Sequence, residues 1–109
     1  MKAGTYRYKL EMTVPLGTRN GFLDLTICDN LVEGFLTMFT NTLAIAAGTC
    51  RGNQLSFCGK MKTLLSTIPY KASGTVTRSQ IKLTFHTENG DYPVTGRQAL
   101  PGQRKAAGV

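Results

Sequence analysis

The sequence predicts an all-β protein, an antiparallel up-and-down closed barrel of seven to eight short strands. Three observations carry that reading. Apolar and polar residues alternate over segment after segment, hairpin-turn chemistry separates most of those segments, and no stretch has helical periodicity long enough for a helix. The 109 residues fit one domain, and 41% apolar with 17% charged residues supports a modest core rather than disorder. No run approaches the roughly 18 apolar residues of a membrane-spanning helix.

The first strand places Tyr6, Tyr8, Leu10, Met12 and Val14 on one face, against Thr5, Arg7, Lys9, Glu11 and Thr13. Period two of this kind marks a strand with one buried face. Residues 15–21, Pro-Leu-Gly-Thr-Arg-Asn-Gly, read as a turn because Pro, Gly and Asn-Gly supply its dihedral angles. A second strand turns Leu23, Leu25 and Ile27 inward, with Asp24, Thr26 and Cys28 outward. Asp29-Asn30 then closes a hairpin onto a third strand, about residues 31–39.

That third strand is largely apolar on both faces: Val32, Gly34, Leu36 and Met38 on one, Leu31, Glu33, Phe35, Thr37 and Phe39 on the other. Either both sides are covered or the register changes at Gly34. Residues 41–47 read as a short strand or a helical turn, because the Ala-rich run favours helix but is too short to hold one alone. Alternation returns with Leu55, Phe57, Gly59 and Met61, then with Ile68, Tyr70, Ala72, Gly74 and Val76, then with Ile81, Leu83 and Phe85. Pro69 cannot donate to a ladder and marks a bulge, a strand end or an edge. Asn89-Gly90 opens a last hairpin. Residues 1–96 read as the barrel domain and 97–109, Gly-, Ala- and base-rich without period, as a flexible basic tail. Barrel closure accounts for the absence of a long polar edge strand, and glycines 34, 59, 74 and 96 fall where strands of a small barrel bend.

The meander of short strands entered or broken by glycine, through Gly4-Thr5-Tyr6, Gly21-Phe22-Leu23-Asp24-Leu25, Glu33-Gly34-Phe35-Leu36 and Asn89-Gly90-Asp91-Tyr92, resembles the calycin group of small barrels, which includes lipocalins, fatty-acid-binding proteins and avidins. The resemblance covers about residues 4–96 and is one of rhythm. It implies a barrel that holds a ligand. Lipocalins typically carry Gly-x-Trp near the first strand and avidins wall their ligand with tryptophan. This chain has no tryptophan, so no family ligand residue transfers to it.

Thirteen Lys and Arg against six Asp and Glu give a net charge of +7, with Arg97, Arg104 and Lys105 in the tail. A basic balance favours anionic partners, nucleic acid among them. The odd count of three cysteines argues against a disulfide scaffold and, with no apolar leader after Met1-Lys2-Ala3-Gly4, points to a reducing, cytoplasmic setting.

Catalytic provision is thin. His86 is the only histidine and faces away from Leu83 and Phe85, with Glu88 on its side. Asp24 and Glu33 are expected to approach across the second hairpin. Cys28, Cys50 and Cys58 lack metal-ligand spacing, and Cys28 and Cys58 project with the polar rows. Gly52 to Lys60 fails the phosphate-loop spacing, with Met61 where Ser or Thr is needed. Tyr6-Arg7-Tyr8-Lys9 looks like a nucleic-acid stacking platform, but both tyrosines share the row of Leu10 and Met12 and read as core.

The expectation is therefore a non-enzymatic barrel binding a small apolar ligand in its lumen, with no catalytic residue, metal or cofactor. The expected lining is Tyr6, Tyr8, Leu10, Met12, Leu25, Leu36, Met38, Phe57, Met61, Tyr70, Leu83 and Phe85, with tyrosine hydroxyls as polar handles. The alternatives are a filled barrel that self-associates, as a homodimer, through Leu31, Phe35 and Phe39, and a barrel binding nucleic acid through its basic surface.

Overall fold

The computed structural model describes residues 2–15, 17–63 and 65–99. They form nine strands: β1 (Gly4–Val14), β2 (Gly17–Cys28), β3 (Leu31–Met38), β4 (Asn41–Ala44), β5 (Ala46–Arg51), β6 (Gln54–Lys62), β7 (Thr67–Val76), β8 (Gln80–Thr87) and β9 (Gly90–Gln98). Sequential neighbours pair antiparallel, and β9 pairs back onto β1. β4 is the exception: β4 and β5 both lie along β3, so eight strands close the barrel and β4 is an additional one. Among the described residues no helix occurs, and none is long and apolar enough to cross a membrane.

Period two translates directly into burial. Tyr6, Tyr8, Leu10 and Met12 point inward from β1, as do Leu55, Phe57 and Met61 from β6, and the inward rows meet in one apolar core. Four local points correct or complete the sequence reading. Residues 15–21 are not a long turn. The β1–β2 ladder runs out to Val14↔Gly17 and takes Asn20 and Gly21 into the strand, because a tight reversal lets two long strands bury more of their inner rows. Of the two alternatives for residues 41–47 the strand holds, over 41–44 and again over 46–51, since pairing with β3 and β6 outweighs the propensity of alanine. Between them the register slips by one residue around Ile45, where Ala47 adopts φ 51°. Finally β9 continues to Gln98 and Ala99 N–H donates to the Arg7 carbonyl, so the barrel extends past residue 96; residues 100–109 lie outside the described residues.

β3 keeps one register throughout. At Gly34 any Cβ would run into the Asp24 carbonyl of β2, so glycine is what allows the two backbones to approach there. Pro69 is the third residue of β7 and pairs with Lys60 of β6, neither a bulge nor a strand end; the β7–β8 ladder begins only at Tyr70↔Thr87, so on that side Pro69 lies just outside the pairing.

The two halves of the barrel repeat one pattern that the sequence reading did not detect. Tyr6↔Leu25 of β1–β2 returns as Leu55↔Gly74 of β6–β7, a shift of 49 positions from 6 to 55. Gly21↔Met38 returns at the same shift as Tyr70↔Thr87, and Phe35↔Ala44 as Thr84↔Pro93. Thus β1, β2, β3 and the broken β4/β5 form one four-stranded meander, and β6, β7, β8 and the unbroken β9 form a second. Packing compensates between them. Leu10 opposes Gly21 in the first half, whereas Gly59 opposes Tyr70 in the second, so the large side chain changes strand.

Candidate functional site

The twelve expected lining residues all lie inside the barrel, and they fill it. Tyr8, Leu10, Leu25 and Phe85 have no surface that water can reach, so no ligand-sized space borders them. Phe57, Tyr70 and Phe85 form the aromatic centre, with Tyr70 and Phe85 stacked at 4.7 Å and Phe57 edge-on to both. Two of the three tyrosine handles are used internally: Tyr8 donates to the Thr77 carbonyl at 2.6 Å and Tyr6 to the Lys2 carbonyl at 2.7 Å. Burial, reinforced by Tyr6 and Cys50, pushes the Tyr8 hydroxyl up to about 12. Tyr70 is 3% exposed and carries the only buried side-chain polar atom without a hydrogen-bond partner among the described residues. Burial, with a smaller contribution from Cys58, also raises its pKa.

Space for a ligand opens at one end of the barrel. There the ends of β1, β3, β6 and β8 and the starts of β2, β7 and β9 surround a cup of about 220 Å³. Its wall is apolar (Met12, Val14, Met61, Ile68, Phe39 and Tyr92), with Arg19 and Thr87 as its polar members. Phe39 is here because residues 39 and 40 both take positive φ in the β3–β4 reversal, which turns the ring onto the core instead of leaving it in the outer row with Leu31 and Phe35. Asn41 Nδ2 fixes that reversal by donating to the carbonyls of Phe39, at 3.0 Å, and of Lys62, at 3.1 Å. Of the cup, Met12 and Met61 were in the expected lining. Val14 and Ile68 were legible as the ends of alternating rows, whereas Arg19, Thr87 and Tyr92 join it only through strand pairing.

The outer wall holds the remaining chemistry. One cross-strand row runs Cys58, Lys71, His86, Asp91 across β6, β7, β8 and β9. His86 Nδ1 lies 2.9 Å from Asp91 Oδ1, so the partner of the histidine is Asp91 across the ladder and not Glu88. A shallow hollow of about 560 Å³ gathers Cys58, Lys60, Lys71, His86 and Glu88 over Gly59, Pro69 and Tyr70. A second depression, of about 470 Å³, lies across β1, β9 and β8 with Lys9, Lys82, Arg97 and Glu11 around Gly96. Asp24 does not meet Glu33. It pairs with Arg7 at 3.3 Å while Glu33 faces Thr26, and Arg7 also lies 4.4 Å above the Phe22 ring. Leu31 and Phe35 stand outward at 67% and 53% exposure. Cys28 is exposed, Cys58 half-buried and Cys50 buried. Among the described residues no group of three metal-ligating side chains occurs.

The fold thus defines a closed eight-stranded antiparallel barrel with a filled centre, an apolar cup at one end and a chemically mixed outer wall. Comparison with known protein families, with curated proteins and with solved structures returns no match to this chain.

Proposed function

We propose that the protein is a non-enzymatic binding barrel that takes a small apolar ligand at its open end, with the filled interior acting as a rigid scaffold. The cup supports this reading. Its wall combines two flexible methionines, which adapt to a guest, with aromatic and aliphatic surface and one cation, Arg19. At about 220 Å³ it is smaller than the roughly 300–1,000 Å³ of sites for drug-sized molecules, so the occupant is a single ring system or a short acyl chain. Arg19 favours an occupant carrying an acidic group at its outer end. The calycin-like rhythm of the chain agrees with a ligand-holding barrel, with the site moved from the lumen to the mouth.

Anilinonaphthalene sulfonate, two linked ring systems with one acidic group, is a suitable probe, because one of its ring systems matches the cup and the rest extends from the mouth. Its fluorescence is expected to rise saturably at one site per chain, and Ile68→Glu, which puts a charge in the half-buried cup wall, is expected to abolish the rise while Phe35→Glu on the outer face leaves it intact. Equal binding to Ile68→Glu, or loss in Phe35→Glu, would place the apolar site elsewhere. A second reading rests on the exposure of Leu31 and Phe35 on one strand face: self-association as a homodimer through the outer wall of β3.

A further inference from the structure

We propose that β4 is a gate: it parts from β6 and swings outward with Phe39, so that the occupant enters the cup through the side of the barrel. The proposal rests on the apolar cup as the binding site. Between β4 and β6 the sheet is interrupted. The β5–β6 ladder ends at Ala46↔Cys58, and beyond it, among the described residues, Gly59, Lys60 and Met61 pair only with β7. Their equivalents 49 residues earlier, Leu10, Glu11 and Met12, pair with β2 on one side and with β9 on the other. A stretch of wall without ladder bonds is held shut by side chains alone. Here the bond across the gap runs from Asn41 Nδ2 to the Lys62 carbonyl, at 3.1 Å.

The gate has a hinge at each end. Phe39, Thr40 and Ala47 hold φ of 54°, 64° and 51°, and none of them is glycine. A side chain at positive φ is strained and persists only while its surroundings hold it, so these are the points at which the chain gives way first. At the equivalent positions of the second half, Glu88, Asn89 and Gly96, φ is not positive, and β9 runs unbroken from Gly90 to Gln98. The inner side of the gate is also loosely seated. Leu43 is half-buried, and Ile45 is 9% exposed where its equivalent Val94 is 1% exposed. The gap reaches the cup, because Phe39 at one hinge and Met61 on the unpaired side of β6 both line it. Asn41 Nδ2 donates to the Phe39 carbonyl as well, so one amide ties the hinge to the latch. Swinging β4 outward about its pairing with β3 therefore takes the Phe39 ring out of the wall and opens the cup sideways.

The experiment measures relaxation dispersion of the backbone amides in the full, ligand-free chain, and then the stopped-flow kinetics of anilinonaphthalene sulfonate binding. Microsecond-to-millisecond exchange is expected at residues 39–47 and 59–62 and not at their equivalents 88–96 and 10–13. Asn41→Ala removes the latch, which is broken in the open state whether or not the cup is filled. It is expected to raise the association and dissociation rates about fivefold each, the worth of one hydrogen bond, with the dissociation constant held within about twofold. Thr42→Val removes the bond to Thr37 on the other side of β4 and is expected to leave both rates unchanged. Flat dispersion across 39–47, equal dispersion across 88–96, or unmoved rates in Asn41→Ala would overturn the proposal. An equal acceleration in Thr42→Val would do so too, since β4 would then be leaving β3 instead of β6. Failure of the cup reading is a separate result: probe binding that Ile68→Glu does not affect removes the entrance whatever the dispersion shows. Failure of the gate alone leaves the Ile68→Glu result standing.

Discussion

Lys9, Phe22, Thr37 and Thr42 form a cross-strand row in the first half of the barrel, and Cys58, Lys71, His86 and Asp91 form its counterpart in the second. The last pair of each row is bonded, Thr37 to Thr42 at 2.8 Å and His86 to Asp91 at 2.9 Å. One backbone register therefore presents two hydroxyls in one half and an imidazole with a carboxylate in the other. The outer faces of β3 and β8 differ in the same way. Leu31, Glu33 and Phe35 on β3 stand where Gln80, Lys82 and Thr84 stand on β8. Inside, by contrast, the halves stay apolar: Tyr8 and Phe57, Met12 and Met61, Leu36 and Phe85, and Ile45 and Val94 are equivalent and buried, and where Leu10 and Gly21 give way to Gly59 and Tyr70 the large side chain only changes strand. Stability constrains the inner rows because each must fill a share of one core, whereas the outer rows meet water and are left to function.

The largest expected effect tests the inner agreement. Tyr8→Ala and Phe57→Ala are each expected to cost about 3–5 kcal/mol in denaturant unfolding, as truncations of fully buried aromatics. A cost within about 0.5 kcal/mol for either, the range of a surface site, would break the equivalence of the two halves.

A smaller effect comes from titration. The hydroxyl of Tyr8 is raised from 10.0 to about 12 in the fold, so the unfolded chain loses that proton first. The stability this provides is whole below pH 10 and drains away as the pH climbs through the folded value. A shift of that size corresponds to about 2–3 kcal/mol. Tyr70, raised further, adds to the same alkaline loss. Tyr8→Phe gives both halves a phenylalanine at equivalent positions. It is expected to cost about 1 kcal/mol near neutrality, through the lost bond to Thr77, and to flatten the decline above pH 10. Parallel wild-type and variant stability curves from pH 9 to 11.5 would refute the assignment.

The smallest stability effect is expected at the outer wall, where the halves differ. Phe35→Lys, at the position equivalent to Thr84, is expected to leave unfolding within about 0.5 kcal/mol, since the ring is 53% exposed in the single chain. If β3 is a dimer surface, sedimentation finds the wild type at twice the mass of a folded variant. A wild-type monomer removes that reading and leaves the apolar face of β3 unassigned.

Much of this fold is legible in the chain. Alternation from Tyr6 to Val14 and from Ile81 to Phe85 reports which side chains turn inward, because that period belongs to the strand itself. Gly34 and Gly59 announce close approaches, since a missing Cβ is visible in one letter. Phe39 misleads because parity holds only while the strand does, and two positive φ angles end it. Asp24 and Glu33 look like neighbours across a two-residue turn, yet the ladder sets Asp24 opposite Phe35 and beside Arg7 of β1. Arg19, Ile68 and Tyr92, far apart in the chain, share a cup because three strand starts meet at one end of the barrel. His86 shows the same division: its outward direction follows from parity, but its partner Asp91 follows from the β8–β9 register.

By itself, then, the sequence determined the all-β class, the inward and outward rows and the glycine-marked contacts, all of which rest on dihedral preference and a two-residue period. Only the tertiary structure decided that β4 and β5 share β3, that the lumen is full, and that Cys58, Lys71, His86 and Asp91 stand in line. Those outcomes depend on register between distant segments. That register is chosen by the summed volume of the inner side chains and by how sharply each reversal turns, and no local stretch of the chain contains it.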